Sequence, residues 1–194
     1  MKLHCLIQLM ISAIILLGLI FNIRNSRLFN FYDHLLHHKL VRNREGKIWK
    51  IITILNEPKV IVVWDFILAG LLVMLGHPWL AIWALGTLAV TDAVGIFLKH
   101  SVKRRRPLSM KTYRDGYSFP SGHVLSATIM SLMLWQIFGH VMGIWLLITL
   151  IIAWGLVVIS RLNMRAHYPS DILGATSLAL FCFTIAQQLL GLAF

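Results

Sequence analysis

The chain is 194 residues long, 58% hydrophobic and only 13% charged, with a mean hydropathy of +0.78. Those proportions exclude a disordered chain and a soluble coiled coil. The 18 Lys and Arg against 7 Asp and Glu leave a net charge of +11, and in a chain made largely of apolar runs that surplus points to anionic substrate or lipid headgroups. No nucleic acid partner is expected, because no soluble basic module with stacking or groove-reading elements fits between the runs.

A hydrocarbon core of about 30 Å, crossed at about 1.5 Å per residue, calls for about 20 apolar residues per span. The first run, Cys5 to Phe21, follows Lys2 in the manner of a secretory signal. The residues after it, Asn22, Ile23, Arg24 and Asn25, offer no small-residue cleavage site, so a retained helix is predicted. Leu28 to Leu55 is too charged to span. Within it Phe29, Tyr32, Leu36 and Leu40 recur at helical spacing beside Lys39, Arg42 and Arg44, the pattern of an interfacial amphipathic helix. A linker resting on the headgroups is the plainer reading of that segment; a collar that collects anionic lipid or gates lateral entry is the functional one.

Runs from Val60 to Leu75 and from Trp79 to Leu98 are separated by Gly76, His77 and Pro78, a tight turn that makes them antiparallel neighbours. A basic loop from Lys99 to Phe119 follows, then runs from Val124 to Phe138, Val141 to Ile159 and Ile172 to Phe194. The expected fold is all-α: one polytopic membrane domain over residues 1–194, six transmembrane helices in a bundle, with an amphipathic segment after the first. Cys5 and Cys182 lie inside apolar runs and read as small buried hydrophobes, with no disulfide or zinc site implied.

An even number of spans puts both termini on one side of the membrane. The loops at 24–59, 99–119 and 161–170 then share the other face, together with every Lys and Arg except Lys2. A plain positive-inside count makes that face cytoplasmic.

Three clusters meet there: Lys99, Arg106 and Pro107 in K-x6-R-P; Pro120, Ser121, Gly122 and His123 in P-S-G-H; and Ser160, Arg161, His167 and Asp171 in S-R-x5-H-x3-D. Singly, each has a bland reading, since a helix-flanking Lys or Arg is usually a snorkelling anchor and a boundary His usually structural. Together they gather three cations, two histidines and a carboxylate, a set suited to phosphoryl transfer, where charge spreads over three equatorial oxygens and fixed cations and N–H donors stabilise it. Lys99, Arg106 and Arg161 supply the cations, while Ser121 and Gly122 open a helix whose N-terminus is a natural seat for phosphate. One carboxylate is too few for a two-metal site, so no metal and no cofactor is expected. Asp171, four residues after His167, is placed to accept an imidazole N–H and leave the other nitrogen as nucleophile, which makes His123 the general acid.

The three clusters resemble, without a departure, the signature of the type 2 phosphatidic acid phosphatase superfamily. The likeness covers residues 99–171 in motif and the whole chain in six-helix layout, and it is to the small bacterial members that dephosphorylate phosphatidylglycerophosphate, phosphatidate or undecaprenyl diphosphate. It implies a phosphohistidine formed on His167, Asp171 as its partner, His123 as the acid, and Lys99, Arg106, Ser121, Gly122 and Arg161 as phosphate holders. It also implies a multi-pass cell-membrane protein with an extracytoplasmic active face, against the positive-inside count. Its expected partners are a membrane phospholipid or polyprenyl phosphate substrate and anionic headgroups.

Two other readings compete. Vanadium-dependent haloperoxidases hold vanadate with similar residues but are large and soluble. A non-enzymatic lipid-binding or transport protein with a basic vestibule leaves the His167–Asp171 spacing without a purpose. Arg104 and Arg105, off the fixed motif positions, read as contacts to anionic lipid ahead of a second phosphate, and Asp65 and Asp92 as structural partners for nearby bases.

Overall fold

The computed structural model describes residues 3–41, 47–107 and 116–193, all helices and short connections. The helices are α1 (Leu3–Asn25), α2 (Arg27–Leu40), α3 (Lys47–Leu55), α4 (Pro58–Met74), α5 (Pro78–Val102), α6 (Gly122–Asn163) and α7 (Pro169–Ala193). Proline opens α4, α5 and α7 at a position where its missing N–H costs no intrahelical bond.

Four of these helices, α1, α5, α6 and α7, are long and apolar enough to cross a bilayer, and the chain is a membrane protein. Its surface is that of a lipid-facing molecule: Ile14, Leu17 and Phe21 on α1, Phe66 and Ile67 on α4, and Val141, Trp145 and Ile151 on α6 are all exposed. In water such a surface would be an aggregation liability; in hydrocarbon it is a solvated one. Association must therefore come from close packing, and the interior accordingly uses small residues where helices cross, Ala81 and Ala84 on α5 and Ala175 and Ala179 on α7. Helix α7 is central, packing on α1, α5 and α6.

The predicted runs at 5–21, 60–75, 79–98 and 172–194 fall on α1, α4, α5 and α7. The two runs expected at 124–138 and 141–159 both fall within α6, whose 42 residues form two helical parts either side of a kink at Gly143, each about 30 Å long and so about one bilayer core. The expected gap at 139–140 is helical. The backbone departs from helix at Gly143 instead (φ 58°, ψ −146°), a conformation open to glycine and strained for any other residue.

The amphipathic stretch at 28–55 resolves into two helices, α2 and α3; Arg42 and Arg44 lie outside the described residues. Ser26 caps α2, its hydroxyl accepting from Phe29 N at 3.1 Å. Tyr32, Leu36 and Leu40 face outward, Phe29 packs against the core, and the side turned into the bundle carries Asp33 and His37. The helix is thus inverted relative to a soluble surface helix, and its polar side is the one that reaches the site.

Candidate functional site

The site lies where the C-terminus of α5, the N-terminus of α6, the C-terminus of α6 and the N-terminus of α7 converge. Lys99 stands on the last turn of α5, where a cation complements the helix dipole. Its Nζ lies 3.8 Å from the point a Cβ on Gly122 would occupy, so the ammonium sits over the N-terminus of α6. Of the amides there, Ser121 N–H is already used: it donates to the Asp171 carbonyl at 3.2 Å, tying the P-S-G-H loop to α7. The sequence expectation that Ser121 offers its N–H to phosphate is corrected by that bond. What Ser121 offers is its hydroxyl, buried and without a hydrogen-bond partner among the described residues. The N–H groups of Gly122, His123 and Val124 are those a helix's first turn leaves without an intrahelical acceptor.

The loop before α6 is docked by a close approach. Phe119, fully buried, lies against Gly174 of α7 so tightly that a Cβ there would run into its ring. This docking presents the Ser118 carbonyl to His167, whose Nδ1 stands 2.9 Å from it. A carbonyl only accepts, so Nδ1 carries the proton and Nε2 keeps its lone pair. Asp171 Oδ2 is 3.7 Å from the same Nδ1, an electrostatic neighbour beyond hydrogen-bond length. The tautomer-fixing acceptor expected of Asp171 is therefore Ser118 O in this geometry, with the carboxylate adding charge behind it. Burial holds the His167 pKa below the usual imidazole value; Asp171 opposes this, and Arg106 and Lys99 add to it. The ring is neutral at physiological pH.

Arg106 donates to the Ala166 carbonyl at 3.3 Å, next to His167. Arg161 is completely buried on the last turn of α6, where its Nη2 reaches Thr53 Oγ1 of α3 and Met164 Sδ and its Nε meets Ser160 Oγ. His123, at the second position of α6, is half-buried. The structure thus brings Lys99, Arg106, Ser121, Gly122, His123, Arg161, His167 and Asp171 to one end of the bundle.

The Asp171 side chain has two further partners. It takes the Tyr168 N–H on Oδ2 at 2.8 Å, closing the first turn of α7 on itself, and Arg104 Nη1 on Oδ1 at 2.8 Å. Arg104, read from sequence as a lipid or second-phosphate contact, is instead buried and spent on protein. Its Nη1 also meets Ser170 Oγ at 2.6 Å, its Nη2 meets Asp33 Oδ2 at 2.7 Å and Asn30 Oδ1 at 3.1 Å, and its guanidinium lies 4.2 Å over the Tyr168 ring. Asp33 also accepts Ser170 N–H at 3.2 Å and the Ser170 hydroxyl. Asp92, expected to partner a nearby base, accepts instead from a serine, Ser126 Oγ at 3.0 Å.

Asp33, Ser118 and Thr53 are the site residues that the sequence motifs do not mark. Only Asp33 carried a signal: in a chain with 7 acidic residues, an acid four positions before a His on one helix face stands out.

The described residues thus form an all-helical membrane protein with a buried histidine and the cations Lys99, Arg106 and Arg161 at one end of its bundle. The PAP2 superfamily model matches residues 80–192, and the chain belongs to that family. It is 46% identical over 70 residues to a phosphatidylglycerophosphatase B of Haemophilus influenzae (strain ATCC 51907 / DSM 11121 / KW20 / Rd), a match taking in 33% of this chain and 29% of that protein. The match therefore spans under a third of that relative's length. In fold it is similar to a transmembrane PAP2-type phosphatidylglycerolphosphate phosphatase from Bacillus subtilis, with a TM-score of 0.85 at 20% identity, over 96% of this chain and 98% of that one.

Proposed function

We propose that this protein is an integral-membrane lipid phosphatase that hydrolyses a phosphomonoester or diphosphate headgroup, such as that of phosphatidylglycerophosphate, phosphatidate or undecaprenyl diphosphate, through a phosphohistidine. One observation carries the reading: His167 donates Nδ1–H to Ser118 O at 2.9 Å with Lys99 and Arg106 among its charged neighbours. That is a neutral, oriented nucleophile placed where anionic phosphate is attracted.

In the first step His167 Nε2 forms a bond to phosphorus as the bond to the lipid oxygen breaks, and His123 gives that oxygen its proton. The imidazole becomes cationic, and Asp171 stabilises the charge. Water then attacks phosphorus, the P–N bond breaks, His123 takes the water's proton and phosphate leaves. Lys99, Arg106, Arg161, the Ser121 hydroxyl and the first amides of α6 hold the equatorial oxygens. This chemistry needs no metal.

The whole chain acts as one domain with six spans, α1, α4, α5, the two parts of α6 either side of Gly143, and α7. The 17 residues of α4 reach about 26 Å, close to a core thickness. Helices α2 and α3 lie along the interface beside the site, among anionic headgroups.

The test is phosphate release by the purified protein from the three lipids side by side, wild type against His167→Ala, with EDTA present. Release that EDTA abolishes and magnesium restores contradicts the mechanism. We place the site on the extracytoplasmic face. With Cys5 and Cys182 replaced, single cysteines at Arg105 and His77 discriminate: an impermeant thiol reagent on intact cells labels Arg105→Cys alone, and labelling of His77→Cys alone reverses the orientation.

A further inference from the structure

The Asp33–Arg104–Asp171 chain links α2, a helix outside all three motifs, to the carboxylate beside His167. Arg104 is shared evenly, one Nη on each acid, at 2.7 Å from Asp33 and 2.8 Å from Asp171. All three side chains are at least nine-tenths buried. Buried charges at such separations are weakly screened, so what His167 experiences depends on the whole group. Two carboxylates and one guanidinium sum to −1. Without Asp33 the sum would be zero, and Arg104 would compensate Asp171 alone.

We propose that Asp33 is a positioning residue for the reaction: by engaging half of Arg104 it leaves the Asp171 carboxylate electrically uncompensated, so that it stabilises the imidazolium formed when His167 attacks phosphorus. The inference rests on His167 being the nucleophile. Asp33 also fixes the geometry, since its Oδ1 takes the Ser170 N–H and so orients the first turn of α7, from which Asp171 projects. Helix α2 is therefore part of the active site. The other charged and titratable groups facing this point are Lys99 from α5, Arg106 from the loop after it and Tyr168 from the start of α7, with Arg161 and His123 elsewhere at the same end of the bundle. Behind α2's contact stand His34, His37, His38 and Arg165.

The charge sum gives a test with signs. The nucleophile works only when neutral, so protonation of His167 sets the acid limb of the pH profile of kcat/KM. Asp33→Asn (sum zero) favours the neutral ring and moves the limb to lower pH, while kcat falls about 10- to 100-fold, by analogy with the loss seen for the outer partners of metal-ligating residues. Arg104→Gln (sum −2) moves the limb to higher pH. The double variant returns the sum to −1, and its limb lies nearer to wild type than that of either single variant.

Titration of His167 by NMR in 15N-histidine-labelled full-length protein, its signal assigned by loss in His167→Asn, reads the same shifts without turnover. Opposite shifts in the single variants and recovery in the double support the proposal. Shifts of one sign, no shift, or a double variant displaced further than both singles overturn it. A wild type that releases no phosphate overturns the phosphatase reading, while the NMR titration still decides the electrostatic one.

Discussion

The two ends of the helix bundle are built on opposite principles. At one end α4 passes to α5 through exposed Gly76 and His77, and the break at Gly143 lies beside exposed Val141 and Trp145. These are economical turns that satisfy the backbone and little else. At the other end Arg104, Arg161, Asp33, Asp171 and His167 are all buried, although burying a charge is costly unless it is paired. A membrane domain needs only the first kind of end to fold. The second stores cost that folding does not require, and the comparison teaches that selection for chemistry, not for stability, has shaped it.

Removing the proposed nucleophile tests the comparison at its largest. His167→Ala abolishes lipid phosphate hydrolysis and any acid-labile, base-stable phosphate trapped on the protein, whereas His77→Ala at the opposite end leaves turnover at the wild-type level. Full activity in His167→Ala, or equal losses in both, erases the distinction between the ends.

Asp171→Asn comes next. It keeps the shape but takes away the charge behind the imidazole, and a loss on the order of 10² to 10⁴ in kcat is expected by analogy with the carboxylate of hydrolase triads. Because Ser118 O accepts the Nδ1 proton directly at 2.9 Å, the tautomer survives in this variant, and the lower part of that range is favoured. His123→Ala is the more selective lesion. With His123 as the proposed donor to the departing oxygen, p-nitrophenyl phosphate, whose leaving group is already a good anion, is expected to be harmed less than a lipid alkoxide. Phosphoenzyme trapped on His123→Ala but not on His167→Ala fixes the two roles, and the reverse pattern exchanges them.

The motifs were legible because they are local. Lys99 and Arg106, Ser121 to His123, and Arg161 to Asp171 each fall within one short segment flanked by apolar runs, so hydropathy places them at a membrane face and residue type supplies the chemistry. The supporting contacts join segments far apart in sequence: Ser118 meets His167 across 49 positions, Asp33 meets Arg104 across 71, and Thr53 meets Arg161 across 108. No local pattern encodes such pairings, which follow from how α2, α3 and α7 pack. The inverted polarity of α2 was likewise invisible, because the spacing of Phe29, Tyr32, Leu36 and Leu40 defines a face without saying what it faces. In a membrane the apolar side turns out and the polar side turns in.

That inversion makes the smallest prediction, at His37 on the inward side of α2. Its ring is buried, 5.6 Å from the Tyr168 ring. Burial chiefly, with His38, His34 and Arg165 adding and Asp33 opposing, pushes its pKa down from 6.5 to about 4. Above pH 6.5 His37 is neutral whether or not α2 is docked, and it contributes no pH dependence. Between pH 6.5 and about 4 the undocked or unfolded chain takes up a proton that the native state refuses, so stability falls as pH falls; below about 4 both forms are protonated and this loss stops growing. Wild-type Tm in detergent is therefore expected to drop through that window, by about 2 to 4 °C for each kcal/mol lost in a chain of this size. His37→Gln, which cannot be protonated, flattens its share of the slope, while His77→Gln on the exposed turn leaves the slope as it is. An unchanged slope in His37→Gln shows that α2 does not meet the site through a neutral buried histidine, and the contrast between the two ends then narrows to the charged groups alone.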